Sequence, residues 1–187
     1  LSGKLLVLYA GAHGASNDLE VLLNSARITS DQSDIVYILV GDGKEKTNLV
    51  RLAQEWVLKN VLFIPPVAKE EMKGVLAAAD ACIAILKPID LYKTTYPNKV
   101  FDYMAAARPV ICAIDGVIRE VIESANAGLF VPPGNPVALA EAVLSLYRDQ
   151  ENARLMVWNA RDYAMLHFDR KTIAMEMEKI LDEAARN

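Results

Sequence analysis

Polar and apolar positions fall in blocks along this chain. Short runs that are apolar throughout end at glycine or proline, and a stretch with helical spacing follows most of them. "KLLVLYAG" leads into "SNDLEVLLNSARI", "DIVYILVGDG" into "KEKTNLVRLAQEWV", "NVLFIPP" into "KEEMKGVLAAAD", and "ACIAILKP" into "TYPNKVFDYMAAA". "RPVICAI" then precedes "VIREVIESAN", and "AGLFVPPG" is a short last run. From Asn135 onward the pattern is helical, with breaks near Gln150 and Asp169. Strands that do not alternate are buried on both faces. Strands separated by one helix each imply right-handed crossovers and a parallel sheet. The pattern therefore predicts an α/β fold: a doubly wound, Rossmann-like, six-stranded parallel sheet with additional C-terminal helices. No linker, repeat or low-complexity tract interrupts it, so residues 1–187 read as one domain.

Composition narrows the function classes. About half of the 187 residues are apolar, enough for a sizeable core. The net charge is −4 and no Lys/Arg run occurs, which disfavours a nucleic-acid surface or a membrane-surface helix. Cys82 and Cys112 lie inside apolar runs without metal spacing and read as buried thiols in a reducing compartment, hence a cytoplasmic protein. No apolar stretch reaches membrane-spanning length. The chain opens "LSGKLLVLYAG" without Met, one step before a strand, and reads as a piece of something longer.

In such a sheet, ligands bind outside the carboxyl ends of the strands. The loop after the first run holds Gly11, Ala12, His13 and Gly14. Its small residues allow close backbone approach to a ligand, though a tight turn alone would also use them. His13 could contact a diphosphate or a sugar there, whereas His167, between C-terminal helices, reads as structural. The spacing is not G-x-G-x-x-G, so the dinucleotide fingerprint is weak. Gly41-Asp42-Gly43 lacks the Lys-Ser/Thr of a P-loop and reads as a turn capping the next helix; Asp42 is not half of a DxD metal pair.

The stretch "TYPNKVFDYMAAARPVI", from Thr95, is richer. Pro97 suits a first helical turn, where its missing N–H costs nothing. The amides of Asn98, Lys99 and Val100 would then leave the helix N-terminus free for an anion, with the Lys99 charge beside them. Asp102, three residues beyond Lys99, could accept two hydroxyl hydrogen bonds from a ribose. The plainer alternative is that Asp102 merely favours the first turn and Lys99 is solvated.

That stretch resembles the "P-N/S-K-x-F-E-Y-M-A-A-G-x-P-V-I" segment of the C-terminal domains of GT-B glycosyltransferases, family 4. "YAGAHGASNDLEVLL" resembles the first-strand loop of its bacterial surface-polysaccharide branch, which includes transferases of N-acetylated amino sugars such as L-fucosamine. "ILVGDGKEKTNLVRLA", "NVLFIPPVAKEEMKGVLAAADACIAIL" and "AGLFVPPGNPVALAEAV" are similar to later family segments, so the likeness covers essentially the whole chain.

The resemblance implies a glycosyltransferase domain that binds a nucleotide-sugar donor, expected to be UDP-linked, with an N-acetylated amino sugar as one candidate. It also implies an N-terminal acceptor domain in cis that this chain lacks, so the chain alone would be inactive. No metal or other cofactor is expected, and no nucleic-acid partner. The full-length enzyme could associate peripherally with the inner face of the membrane.

Residue by residue, Asp102 stands at the second Glu of the family's Glu–seven residues–Glu motif, which holds the ribose. The first Glu falls at Thr94, which is no carboxylate. Tyr96 belongs to the same donor-side stretch, and Val67, Ala68 and Met72 match the region that covers the base. Where many members carry Arg and Lys after the first strand, this chain has His13, Asn17 and Asp18, so Lys99 would bear more of the diphosphate charge. Arg108 is placed at the family's usual Gly, with Ala107 and Arg108 affecting packing. The final helix, Lys171 to Arg186, presents Ile173, Met177, Ile180 and Leu181 for packing on this domain or the absent one. Three readings stand beside the transferase: half of a nucleotide-sugar epimerase, a non-transferring nucleotide-binding or regulatory domain, and a redox dinucleotide domain.

Overall fold

The six apolar runs become six strands in the computed structural model, which describes residues 1–185. They are β1 (Leu5–Ala10), β2 (Ile35–Val40), β3 (Val61–Ile64), β4 (Ala81–Ile85), β5 (Val110–Ala113) and β6 (Gly128–Phe130). The helices are α1 (Leu19–Ile28), α2 (Lys46–Glu55), α3 (Met72–Ala78), α4 (Asn98–Ala105), α5 (Val117–Ala125), α6 (Pro136–Arg148), α7 (Gln150–His167) and α8 (Arg170–Ala185). All strand pairs are parallel, in the order β3-β2-β1-β4-β5-β6. The predicted doubly wound sheet is therefore the fold. Leu22, Leu23, Leu49, Leu139 and Val143 of α1, α2 and α6 cover one face through Val7, Tyr9, Tyr37 and Leu39. Leu76, Val100, Met104, Ile118, Ile122 and Ala160 of α3, α4, α5 and α7 cover the other through Leu8, Cys82 and Cys112.

β4 and β5 are buried on both faces, as unbroken apolar runs require. β3 differs. It is an edge strand, and Leu62 and Ile64 stay more than a third exposed on its outer side. Cys82 and Cys112 are free buried thiols, and burial pushes each up to about 12.

The sheet reverses direction between β1 and β4, and there it opens. β1 pairs with β2 from Leu5 to Ala10, but with β4 only at Val7↔Ala81 and Leu8↔Cys82. Ala10 thus ends the strand with its β4-side N–H and C=O unmatched by a strand. The Tyr103 hydroxyl of α4 takes that place: it accepts from the Ala10 N–H and donates to the Ala10 carbonyl, each at 3.1 Å. This hydroxyl is buried and satisfies two backbone groups that would otherwise be lost to water.

α4 ends in a left-handed residue. Ala107 has φ 56°, its N–H donates to Met104, and the Arg108 N–H donates to Tyr103. These are the two bonds of a Schellman cap. The glycine-like position is therefore Ala107, not Arg108, and the expectation for Arg108 is corrected. Arg108 instead donates to the Ala79 carbonyl at 2.7 Å and ties the end of α4 to the end of α3.

Of the two packing partners expected for the last helix, this domain is not one. Ile173, Met177, Ile180 and Leu181 are 44–61% exposed, so this face does not pack on the domain. Arg186 lies outside the described residues. Among the described residues no helix is long and apolar enough to cross a membrane.

Two stability outcomes follow. Tyr103→Phe leaves two buried backbone groups unpaired and is expected to cost about 2 kcal/mol or more in denaturant unfolding. Ala107→Gly relieves the left-handed strain and is expected to stabilise by about 1 kcal/mol, a rise of roughly 2–4 °C in Tm by calorimetry.

Candidate functional site

Four loops meet where the sheet opens. Pro97 is extended (φ −68°, ψ 121°) and caps α4 without a side-chain bond. Among the described residues no acceptor meets the amides of Asn98 and Lys99. The third amide is different from expectation: the Val100 N–H donates to the Pro97 carbonyl at 3.0 Å, and its side chain is fully buried. The N-terminus of α4 thus offers two free donors, plus the dipole of a helix aimed at the gap.

The β1 loop lies directly against this corner. Gly11 donates to Val40, His13 donates to Asp42, and Glu45 donates back to His13, which zips the β1 and β2 loops together. The approach is so close that a Cβ on Gly41 would fall 1.9 Å from the Gly11 carbonyl, and one on Gly43 would fall 2.5 Å from that of His13. The Gly-Asp-Gly stretch is spent on loop packing, in keeping with its reading as a turn. The Lys46 ammonium, missed by sequence reasoning, donates to the Gly41 carbonyl at 2.7 Å. Ala12 is exposed and Gly14 half-buried, and neither amide meets an acceptor among the described residues.

His13 does not stand in the open cleft. Its ring is wholly buried between Tyr9 and Phe63, and neither ring nitrogen has a hydrogen-bond partner among the described residues. The expected direct contact with diphosphate or sugar is corrected: the ring is the floor under the loop. Burial, then Lys46, lowers its pKa, with Lys99 adding to the effect and Asp42 opposing it. His13 is therefore neutral at pH 7.

Lys99 is the charge at the centre. Its ammonium donates to the Tyr9 hydroxyl at 3.1 Å and lies 4.3 Å from the centre of the Tyr9 ring. No carboxylate pairs with it among the described residues. Burial alone lowers its pKa to about 8. A half-buried cation without a counter-charge is electrostatically unsatisfied, and a negative group placed beside it would be stabilised.

Asp102, one turn further along α4, is exposed and turns toward α3. With Met72 it lines a cleft of about 490 Å³ that also includes Lys69, Lys73, Leu76 and Ala105. Val67 is half-buried against the same core, and Ala68 is exposed, its N–H donating to the Glu71 carboxylate. Tyr96 is exposed and stacks on Phe101. Thr94 is exposed in the turn Asp90–Thr94 and donates to the Leu91 carbonyl. The structure thus joins Gly11 with Lys99 and Met72 with Asp102. Thr94 and Tyr96 stay on the solvent side of the β4 loop. Among the described residues no cluster of three or more His, Cys, Asp or Glu could hold a metal.

A doubly wound sheet whose switch point holds free helix amides and an unpaired cation has the architecture of a nucleotide-binding domain. The family profile "Glycosyl transferases group 1" matches residues 4–149, and the chain belongs to that family. It is 26% identical over 160 residues to the O-antigen chain mannosyltransferase C of Escherichia coli, covering 85% of this chain and 41% of that one. Its fold superposes on Anabaena HepE in complex with UDP with a TM-score of 0.87 at 20% identity, covering 97% of this chain and 50% of HepE. It also superposes on the C-terminal domain of the group 1 family protein LpcC from Francisella tularensis with a TM-score of 0.77 at 18% identity, covering 90% of this chain and 88% of that one. The chain spans about half or less of the length of the mannosyltransferase and HepE.

The depressed Lys99 pKa fixes a sign. Below pH 8 Lys99 is charged in both states, and its burial costs stability in full. Between about 8 and the unfolded value of 10.5 the unfolded chain holds the extra proton, so this cost fades as pH rises. Lys99→Met is expected to be more stable than wild type by about 2 kcal/mol at pH 7. Denaturant titrations should show the gap closing toward pH 10.

Proposed function

We propose that this chain is the donor-binding C-terminal half of a two-domain glycosyltransferase, with the acceptor domain preceding it in cis. The observation that carries this reading is the Lys99 corner, a half-buried cation between free α4 amides and the β1 loop. The family match and the half-length coverage of its relatives support the domain assignment. The donor is a nucleotide-sugar, with UDP as the first nucleotide to test because the similar HepE fold was solved with UDP. The sequence resemblance adds an N-acetylated amino sugar as the candidate glycosyl group.

In this reading the diphosphate sits against Lys99 and the Asn98, Lys99, Ala12 and Gly14 amides. Asp102 accepts from the ribose hydroxyls at the mouth of the α3–α4 cleft, where Met72 flanks the base. Breaking the sugar–phosphate bond moves negative charge onto the leaving diphosphate. Donors fixed there before the reaction stabilise that charge as it develops. The second domain supplies the acceptor, so this half binds the donor without steady transfer. Turnover by the isolated chain with an acceptor would contradict the assignment.

Titration of the chain with UDP, GDP, dTDP and NAD is the direct test. Saturable binding of a nucleoside diphosphate is expected, and a response to NAD alone would overturn the reading. Asp102→Ala removes hydrogen bonds to a charged group, which contribute roughly 1.5–3 kcal/mol. The expected result is a nucleotide affinity about 10- to 100-fold weaker, with an unchanged unfolding transition. Equal affinity in the two proteins would remove Asp102 from the site.

A further inference from the structure

Tyr9 is buried in the core on the α1 side of the sheet, yet its hydroxyl reaches the mouth of the gap. There it makes two bonds of opposite sense. It donates to the Ala12 carbonyl at 2.7 Å and accepts from the Lys99 ammonium at 3.1 Å. The same ammonium rests over the Tyr9 ring. Lys99 comes from a helix on the opposite layer, so the contact bridges both faces of the sheet. Gly11 completes the corner. A Cβ there would lie 2.8 Å from the Lys99 ammonium and 3.4 Å from the Tyr9 hydroxyl, and its φ of 149° is one that other residues rarely adopt. Ring, hydroxyl and bare glycine backbone form a socket of one shape around one cation.

We infer that Tyr9 is a positioning residue for diphosphate recognition, holding Lys99 and the β1 loop in register so that cation and loop amides converge on the same phosphate oxygens. The inference rests on the reading of Lys99 as the diphosphate group. The geometry explains why one hydroxyl does both tasks. Donating its proton to Ala12 leaves its lone pairs for Lys99, and the same bond fixes the Ala12–His13 peptide, whose N–H is held by the Asp42 carbonyl, so the β1 loop is pinned on both sides. Tyr9 touches no ligand itself. It acts by removing the freedom of a long, flexible side chain before the anion arrives.

The other charged or titratable groups facing this corner are His13 on the β1 loop, Asp42 after β2 and Lys46 at the start of α2. His13 titrates below its ordinary value, and the Tyr9 hydroxyl far above its own. Lys99 is then the group of this corner that changes charge near pH 8.

The test compares UDP with uridine binding by calorimetry, as a function of pH, for wild type, Tyr9→Phe, Lys99→Met and Ser25→Ala. Tyr9→Phe keeps the ring and loses only the hydroxyl. Ser25→Ala is a purely structural control, removing a buried bond to the Tyr37 hydroxyl far from the corner. Wild-type UDP affinity is expected to fall as pH passes about 8, while uridine affinity stays flat. Tyr9→Phe is expected to weaken UDP about tenfold, to leave uridine within about twofold, and to move the pH midpoint down, because the ammonium has lost its acceptor. Ser25→Ala should move neither ratio nor midpoint. If Lys99→Met weakens UDP and uridine equally, the diphosphate reading of Lys99 fails, and this inference with it. If Lys99→Met is selective for UDP but Tyr9→Phe matches wild type in ratio and midpoint, the inference alone is overturned.

Discussion

The structure depends on how β1 ends. A parallel sheet that reverses direction must separate a pair of neighbouring strands at their carboxyl ends, and the separation exposes backbone groups that have nowhere to bond. Here β4 leaves β1 after Leu8, and the Tyr103 hydroxyl takes both bonds of Ala10. That substitution lets the gap stay open without cost to the strand. It also locks α4 against β1 at a fixed height. Everything at the site follows from this height: where the free amides of α4 point, how far Lys99 reaches, and which residue of β1 it meets. A strand end and a helix start are thereby made one rigid unit.

The charge distribution at that unit is unfavourable to the folded chain by itself. Lys99 has lost water and gained a hydroxyl and a ring, but no carboxylate. His13 lies wholly buried below it with both ring nitrogens unpartnered among the described residues. Both side chains sit at the carboxyl end of the sheet, where a polar group held away from water without a partner costs stability. That cost is consistent with the proposed diphosphate contact, since stability is commonly given up where a polar group is held ready for a ligand. The nearby Lys46 is different, since a carbonyl at 2.7 Å holds its ammonium in the loop structure.

Much of the fold was legible because burial on both faces erases polar alternation. The six strands, and the parallel sheet that helices between them imply, are written as apolar runs closed by glycine or proline. The start of α4 was legible for the same local reason, since Pro97 can begin a helix but not continue one. What the sequence did not reveal are contacts between distant positions. Tyr103 and Ala10 are 93 residues apart, and Lys99 and Tyr9 are 90 apart. Nothing in a run of core residues marks which hydroxyl will find a strand end. Backbone detail was equally hidden: the Val100 amide bonds to Pro97, and the left-handed residue is Ala107, one place before Arg108. His13 was misread because a polar residue in a ligand-side loop suggests exposure, whereas the zipped β1 and β2 loops turn its ring inward.

The two departures from the family pattern have one physical consequence. Thr94 offers no carboxylate to a sugar, and the β1 loop offers no cationic side chain to a diphosphate. The loop instead contributes backbone: a glycine against which Lys99 lies, and two amides without an acceptor among the described residues. A cation delivered from α4 has less freedom than one carried on a surface loop, because its ammonium is held by the Tyr9 hydroxyl and ring. The arrangement therefore exchanges charge for placement. Two flexible cations would hold a diphosphate by summed attraction over a range of positions. On the proposed reading, one cation seated on Tyr9 sets the diphosphate at a single distance from the α4 amides, so that recognition rests on geometry more than on net positive charge. A net charge of −4 does not oppose that reading, since the local field at the gap, and not the surface average, acts on an anionic ligand there.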